Sequence, residues 1–245
     1  MRTTNPTLNP QTFAGTGVLQ GEGMTVTGTV NKTVVLLVLV LCGALFTWRE
    51  FVASPAEAMP WVLGGALGGL VVGFVTMFKK EWSAVTAPLY AVLEGLLLGG
   101  ISALYNARFH GLVFQAVLLT FGTLFVLLAA YRLGLVRATE KFRLGVTVAT
   151  GAVCLIYFAG FILSLFNVRI PYIHESGLLG IGFSLVVVVI AALNLVLDFD
   201  MIEQGAKQGA PKFMEWYAGF GLLVTLVWLY LEMLRLLAKL AGRRD

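Results

Sequence analysis

Seven stretches of about twenty consecutive apolar residues, each closed by charged or turn-forming residues, decide what this chain can fold into. Wound as a helix, a run of that length crosses the roughly 30 Å hydrocarbon core of a bilayer. The runs are Thr33 to Val52, Met59 to Phe78, Ala84 to Tyr105, Gly111 to Tyr131, Leu144 to Phe166, Leu178 to Leu197 and Trp216 to Leu237. They are continuously apolar, so the alternation that marks the strand of a membrane β-barrel is missing. With 58% hydrophobic and 12% charged residues, the chain is also far from the balance of a water-soluble domain. The expected fold is an all-α integral membrane protein, a seven-transmembrane-helix bundle. Its connectors are short: Lys79-Lys80-Glu81, Arg132 to Arg143, Arg169 to Glu175 and Asp198 to Glu215.

Residues 1–32 are polar and rich in Thr, Gly, Asn and Pro, and read as a mobile tail ahead of a transmembrane domain over residues 33–245. The opening does not read as a secretory signal, because its first apolar run starts near Thr33. With seven spans, the tail shares a side with the connectors after spans two, four and six. Those hold Lys79, Lys80, Arg132, Arg137, Lys141, Arg143, Lys207 and Lys212, against Arg49, Arg108 and Arg169 on the other side. The excess of basic residues places the amino terminus in the cytoplasm. Arg235, Lys239, Arg243 and Arg244 then face outward, unless the last helix is re-entrant and both ends are cytoplasmic; the sequence leaves both open.

Cys42 and Cys154 fall inside spans and read as core residues, without a disulfide or structural metal role. The net charge of +4 is accounted for by the inside-facing connectors and calls for no nucleic acid. Gly64 with Gly68, Gly65 with Gly69, and Gly95 with Gly99 put small residues four apart, which lets helix backbones approach closely in lipid. Catalysis finds little support. Gly100-Ile101-Ser102 would need a histidine base, and His110 and His174 lie in connectors. Neither a zinc-binding His-Glu-x-x-His helix nor a phosphate-binding loop is present, and Lys239 lies too near the end for a retinal attachment site. No enzyme and no cofactor are expected.

An ionisable side chain inside a span costs roughly 2.5 to 3.5 kcal/mol on insertion scales, so each one is a functional candidate. Glu94, Asp198 and Glu232 qualify, with no intramembrane Lys or Arg placed deep enough to neutralise them completely. Two carboxyls brought together away from water can share one proton, repel once both are charged, or accept a hard cation such as Ca²⁺. Plainer roles compete. Asp200 suits the aqueous end of the sixth helix, and Asp198 is the better inward candidate because Asn194 lies four residues before it on one face. Glu232 could pair locally with Arg235, and a protonated Glu94 could bond a neighbouring helix.

The segment APLYAVLEGLLLGGIS (Ala87 to Ser102) resembles the Glu-Gly signature of the Bax inhibitor-1 and YccA-like family, also called the transmembrane Bax-inhibitor-motif family. LDFDMIEQG resembles its acidic end of helix six, VWLYLEMLRLL its last helix, and the NPTLNP start a bacterial subgroup. The resemblance covers Thr33 to the carboxyl end. It implies seven helices with the last one central, in a bacterial inner membrane, and a pH-dependent Ca²⁺ leak gated by two acids that share a proton. Carried over, Asp198 matches the first acid and Glu232 the second, with glutamate where aspartate is usual and a longer intervening stretch through Gly205 to Pro211. Glu94 would line or support the path, and Ca²⁺ would meet Asp198 and Glu232. Some relatives are described instead as regulators of a membrane protease or other membrane partner, a role that residues 1–32 or Arg132 to Arg143 would carry. A proton-coupled transporter would use the same acids as a relay.

Overall fold

The computed structural model describes residues 23–166 and 177–243. Seven long helices follow one another: α1 (Val26–Ala53), α2 (Pro55–Phe78), α3 (Ser83–Arg108), α4 (Leu112–Arg132), α5 (Glu140–Leu165), α6 (Leu178–Lys207) and α7 (Met214–Ala241). Each is long and apolar enough to cross a membrane. The expected connector Arg169 to Glu175, with His174, and the first 22 residues lie outside the described residues.

Local chemistry sets the ends. The Thr25 hydroxyl caps α1 by accepting from the Gly28 amide at 2.9 Å, and Thr139 caps α5 from the Phe142 amide at 3.3 Å. Pro55 opens α2 directly after Ser54, where its missing N–H is no loss. Gly111 (φ 78) and Gly209 (φ 66) take the left-handed backbone that turns α3 into α4 and α6 into α7.

Two boundaries differ from the sequence expectation. Helix α1 starts at Val26, so residues 26–32 are helix rather than tail. Helix α6 continues about three turns past Leu197, to Lys207. Charged side chains at an aqueous helix end break an apolar run without breaking the helix, which is why both extensions escape a hydropathy reading.

Helix α7 is the centre of the bundle. It packs against α1, α3, α4 and α6, and α5 reaches it through Tyr157. Two apolar clusters meet on it. Leu222, Leu226, Leu229 and Met233 join residues of α4 and α6; Phe220, Leu223 and Val227 join α1 and α3. As a continuous helix of 28 residues it is long and apolar enough to cross the membrane in one pass.

The glycine pairs divide by face. A Cβ on Gly95 or Gly99 would come within 2.3 Å of the Val40 or Ala44 carbonyl oxygen, so these glycines let α1 and α3 touch backbone to backbone. On α2 the buried stripe is Gly65, Gly69 and Gly73, while Gly64 has open space around it. Cys42 and Cys154 are exposed rather than in the core. Lipid solvates apolar side chains, so in a membrane an apolar residue has no need to turn inward.

Candidate functional site

Helix α5 turns one narrow stripe inward: Arg143, Val146, Thr150, Val153 and Tyr157. Val146 and Val153 are its buried residues, and the three polar members each bond to α6 or α7. These bonds lie at three depths and mark a polar seam between α5, α6 and α7.

At the end shared with the start of α1, Arg143 pairs with Asp200. Asp200 also accepts from Gln204 at 2.8 Å. Tyr131 donates to Glu203 at 2.6 Å, and Lys207 pairs with Glu203 at 2.5 Å. Asp200 is thus part of a charged network at the helix end.

At mid-depth the Asn194 amide donates to the Thr150 hydroxyl and to the Ile190 carbonyl, both at 2.8 Å. One turn along α6, the Asp198 carboxyl faces the Thr225 side chain of α7, whose hydroxyl donates to the Gly221 carbonyl at 3.3 Å. Asp198 Oδ2 is buried and has no hydrogen-bond partner among the described residues. Asp198 lies about 14 Å along α6 from Lys207, and Thr225 about 16 Å along α7 from Met214, at 1.5 Å per residue. Both distances are near half a bilayer core.

Deeper, Glu232 is 1% exposed. Its Oε1 accepts from Arg235 at 2.7 Å and from the Tyr157 hydroxyl at 2.9 Å. Arg235 also donates to the Tyr157 oxygen at 2.6 Å and lies over its ring, 4.9 Å from the centroid. Glu232 Oε2 is the second buried carboxylate oxygen of the seam without a partner. Beyond it, buried Lys239 donates to the Gly180 carbonyl at 2.9 Å and the Ser184 hydroxyl at 2.8 Å.

The two acids singled out in the sequence therefore sit at different depths. Thr225 and Glu232 are separated by about 10 Å of α7, and Asp198 stays with the first. The residues between Asp198 and Lys207 are spent on helix, which carries Asp198 away from Glu232. The local ion pair weighed in the sequence is formed: Arg235, three residues further along α7, reaches Glu232 at 2.7 Å. Glu94, 8% exposed, lies beside the Tyr90 side chain one turn earlier. Its carboxylate faces Gly69 of α2, where an added Cβ would lie 3.5 Å from Oε2.

Sequence reading passed over Glu215, which is completely buried. It takes the Thr25 amide and hydroxyl at 2.9 Å, Lys32 at 2.5 Å and Lys212 at 3.2 Å. The tie fastens the start of α1 to the start of α7, helped by the Met24 amide on the Ala210 carbonyl at 2.7 Å. The available signal was Gly28: any Cβ there would lie 2.1 Å from Glu215 Oε1. Among the described residues, no three His, Cys, Asp or Glu side chains come together as a metal site.

A central last helix, acids on α3, α6 and α7, and Gly95 and Gly99 on α3 agree with the family resemblance of the sequence. A family model described as Bax inhibitor 1 like matches residues 5–242. The chain belongs to that family. No curated protein and no solved structure shows significant similarity to it. In this Bax inhibitor 1-like chain the acid of α7 is held by Arg235 and Tyr157, while the acid of α6 faces Thr225.

Proposed function

We propose that the protein is a pH-sensitive leak pathway for Ca²⁺, with the seam between α5, α6 and α7 as the route and Asp198 and Glu232 as its gate. The observation that carries this reading is the pair of buried carboxylate oxygens, Asp198 Oδ2 and Glu232 Oε2, that lack donors at two successive depths. A buried polar atom without a partner calls for an explanation, and a carboxylate oxygen is completed either by a proton or by a hard cation. Asn194 and Thr150 supply further oxygen near Asp198. Arg235 on Glu232 sets a positive charge across the route and opposes a cation there.

The chemistry then runs in steps. Protonation of Glu232 removes the charge that holds Arg235 in place and frees the guanidinium to leave the route. An ionised Asp198 offers the next cation ligand. The two acids act in series from separate depths, and the amino terminus faces the cytoplasm by its share of basic connectors.

Purified protein in Ca²⁺-indicator vesicles, stepped from about pH 8 to about pH 5, tests this. A leak whose pH profile is lost in Asp198→Asn and shifted in Glu232→Gln is expected. Vesicles that stay tight at every pH, or an Asp198→Asn protein with the parent profile, sink the proposal. Flux that appears only with an imposed proton gradient identifies coupled transport instead.

A further inference from the structure

Away from the seam, a groove of about 570 Å³ opens on the membrane-facing side of the bundle. Helices α1 and α4 are its walls, with Leu41, Leu45, Val113 and Val117 among the lining residues; Leu98 of α3 and Val227 of α7 form its floor. Its hydroxyls are already engaged. Ser102 and Tyr230 bond each other at 2.7 Å, and Thr120 donates to the Ala116 carbonyl at 2.8 Å. With its hydroxyls satisfied and its remaining walls apolar, the space suits hydrocarbon rather than an ion or a polar solute.

Its proportions narrow the choice. From Val34 to Trp48 the groove follows α1 for about 21 Å, a length that one extended acyl chain spans. The contributions of α3 (Leu98, Ser102) and α4 (Val113 to Phe121) come from the half of the bundle remote from Val26, while α1 contributes from Val34 onward, so the groove runs toward that remote end. At its end on that side stands Trp48, a side chain suited to the headgroup boundary. Arg49 is exposed and lies four residues after Leu45, on the same face of α1.

We propose that this groove holds one acyl chain of a membrane phospholipid, with the phosphate met by Arg49. The bound chain touches Leu223, Leu226 and Val227 of the central helix, which carries Thr225 and Glu232 on its other faces. The site is independent of whether the seam conducts.

Native mass spectrometry of detergent-solubilised protein tests it, with phosphatidylglycerol and diacylglycerol of the same chains as probes. The unaltered protein is expected to retain one phosphatidylglycerol per chain. Val117→Trp and Leu41→Trp, which fill the groove from opposite walls, are expected to lower retention of both probes about tenfold. Arg49→Gln should lower phosphatidylglycerol retention about fivefold and leave diacylglycerol unchanged. Circular dichroism checks that each variant keeps its helical content, and two groove variants guard against one failing to fold. Unaltered retention in a folded groove variant, or equal loss of both probes in Arg49→Gln, overturns the proposal.

Discussion

Glu232 is held in the bundle by Arg235, three residues further on the same helix, and by Tyr157, which closes from α5. Removing one partner of a buried ion pair leaves the other stranded, whereas removing both charges is far milder. Arg235→Ala is therefore expected to cost about 3 kcal/mol in denaturant unfolding in micelles. Glu232→Gln combined with Arg235→Gln should recover most of that, and a single variant as stable as the parent would refute the pairing. The sequence shows the spacing of Glu232 and Arg235 directly. It hides Tyr157, whose place depends on how α5 docks, and it hides Glu215, which sits among connector residues and looks solvated until α1 folds over it. Lys239 looked like an end residue, yet it reaches back to Gly180 and Ser184.

Helix α3 shows what a small residue does between two elements. Gly99→Ala puts a Cβ within 2.3 Å of the Ala44 carbonyl oxygen, which forces α1 and α3 apart. Overpacking of this kind typically costs 1 to 3 kcal/mol, and about 2 kcal/mol is expected here. Gly64→Ala meets open space and is expected to be neutral or stabilising by up to about 1 kcal/mol. Thermal unfolding of the two variants side by side separates the roles. Spacing four residues apart pointed to the packed glycines of α3, but on α2 it did not separate open Gly64 from the stripe through Gly65, Gly69 and Gly73. Hydropathy likewise found all seven helices and misjudged α6, because Asp198, Asp200 and Glu203 ended the apolar run while the backbone hydrogen bonds continued to Lys207.

For the molecule as a whole, seven spans put the two ends of the bundle on opposite sides of the membrane. A cysteine placed at His110, in the turn between α3 and α4, is expected to react with an impermeant maleimide added outside intact cells. One placed at Lys80 should react after the membrane is opened. The reverse pattern would invert the orientation. The architecture was legible in the sequence because a bilayer demands long apolar runs; the seam was not, because its members come from three helices far apart in the chain.

Helix α5 commits one stripe to its neighbours and leaves the rest of its circumference to lipid. Such a helix gives natural selection little to act on across most of its surface. In diverging descendants of this chain its lipid-facing letters should drift freely among apolar residues, while positions 143, 150 and 157 change only when the residues opposite them change too.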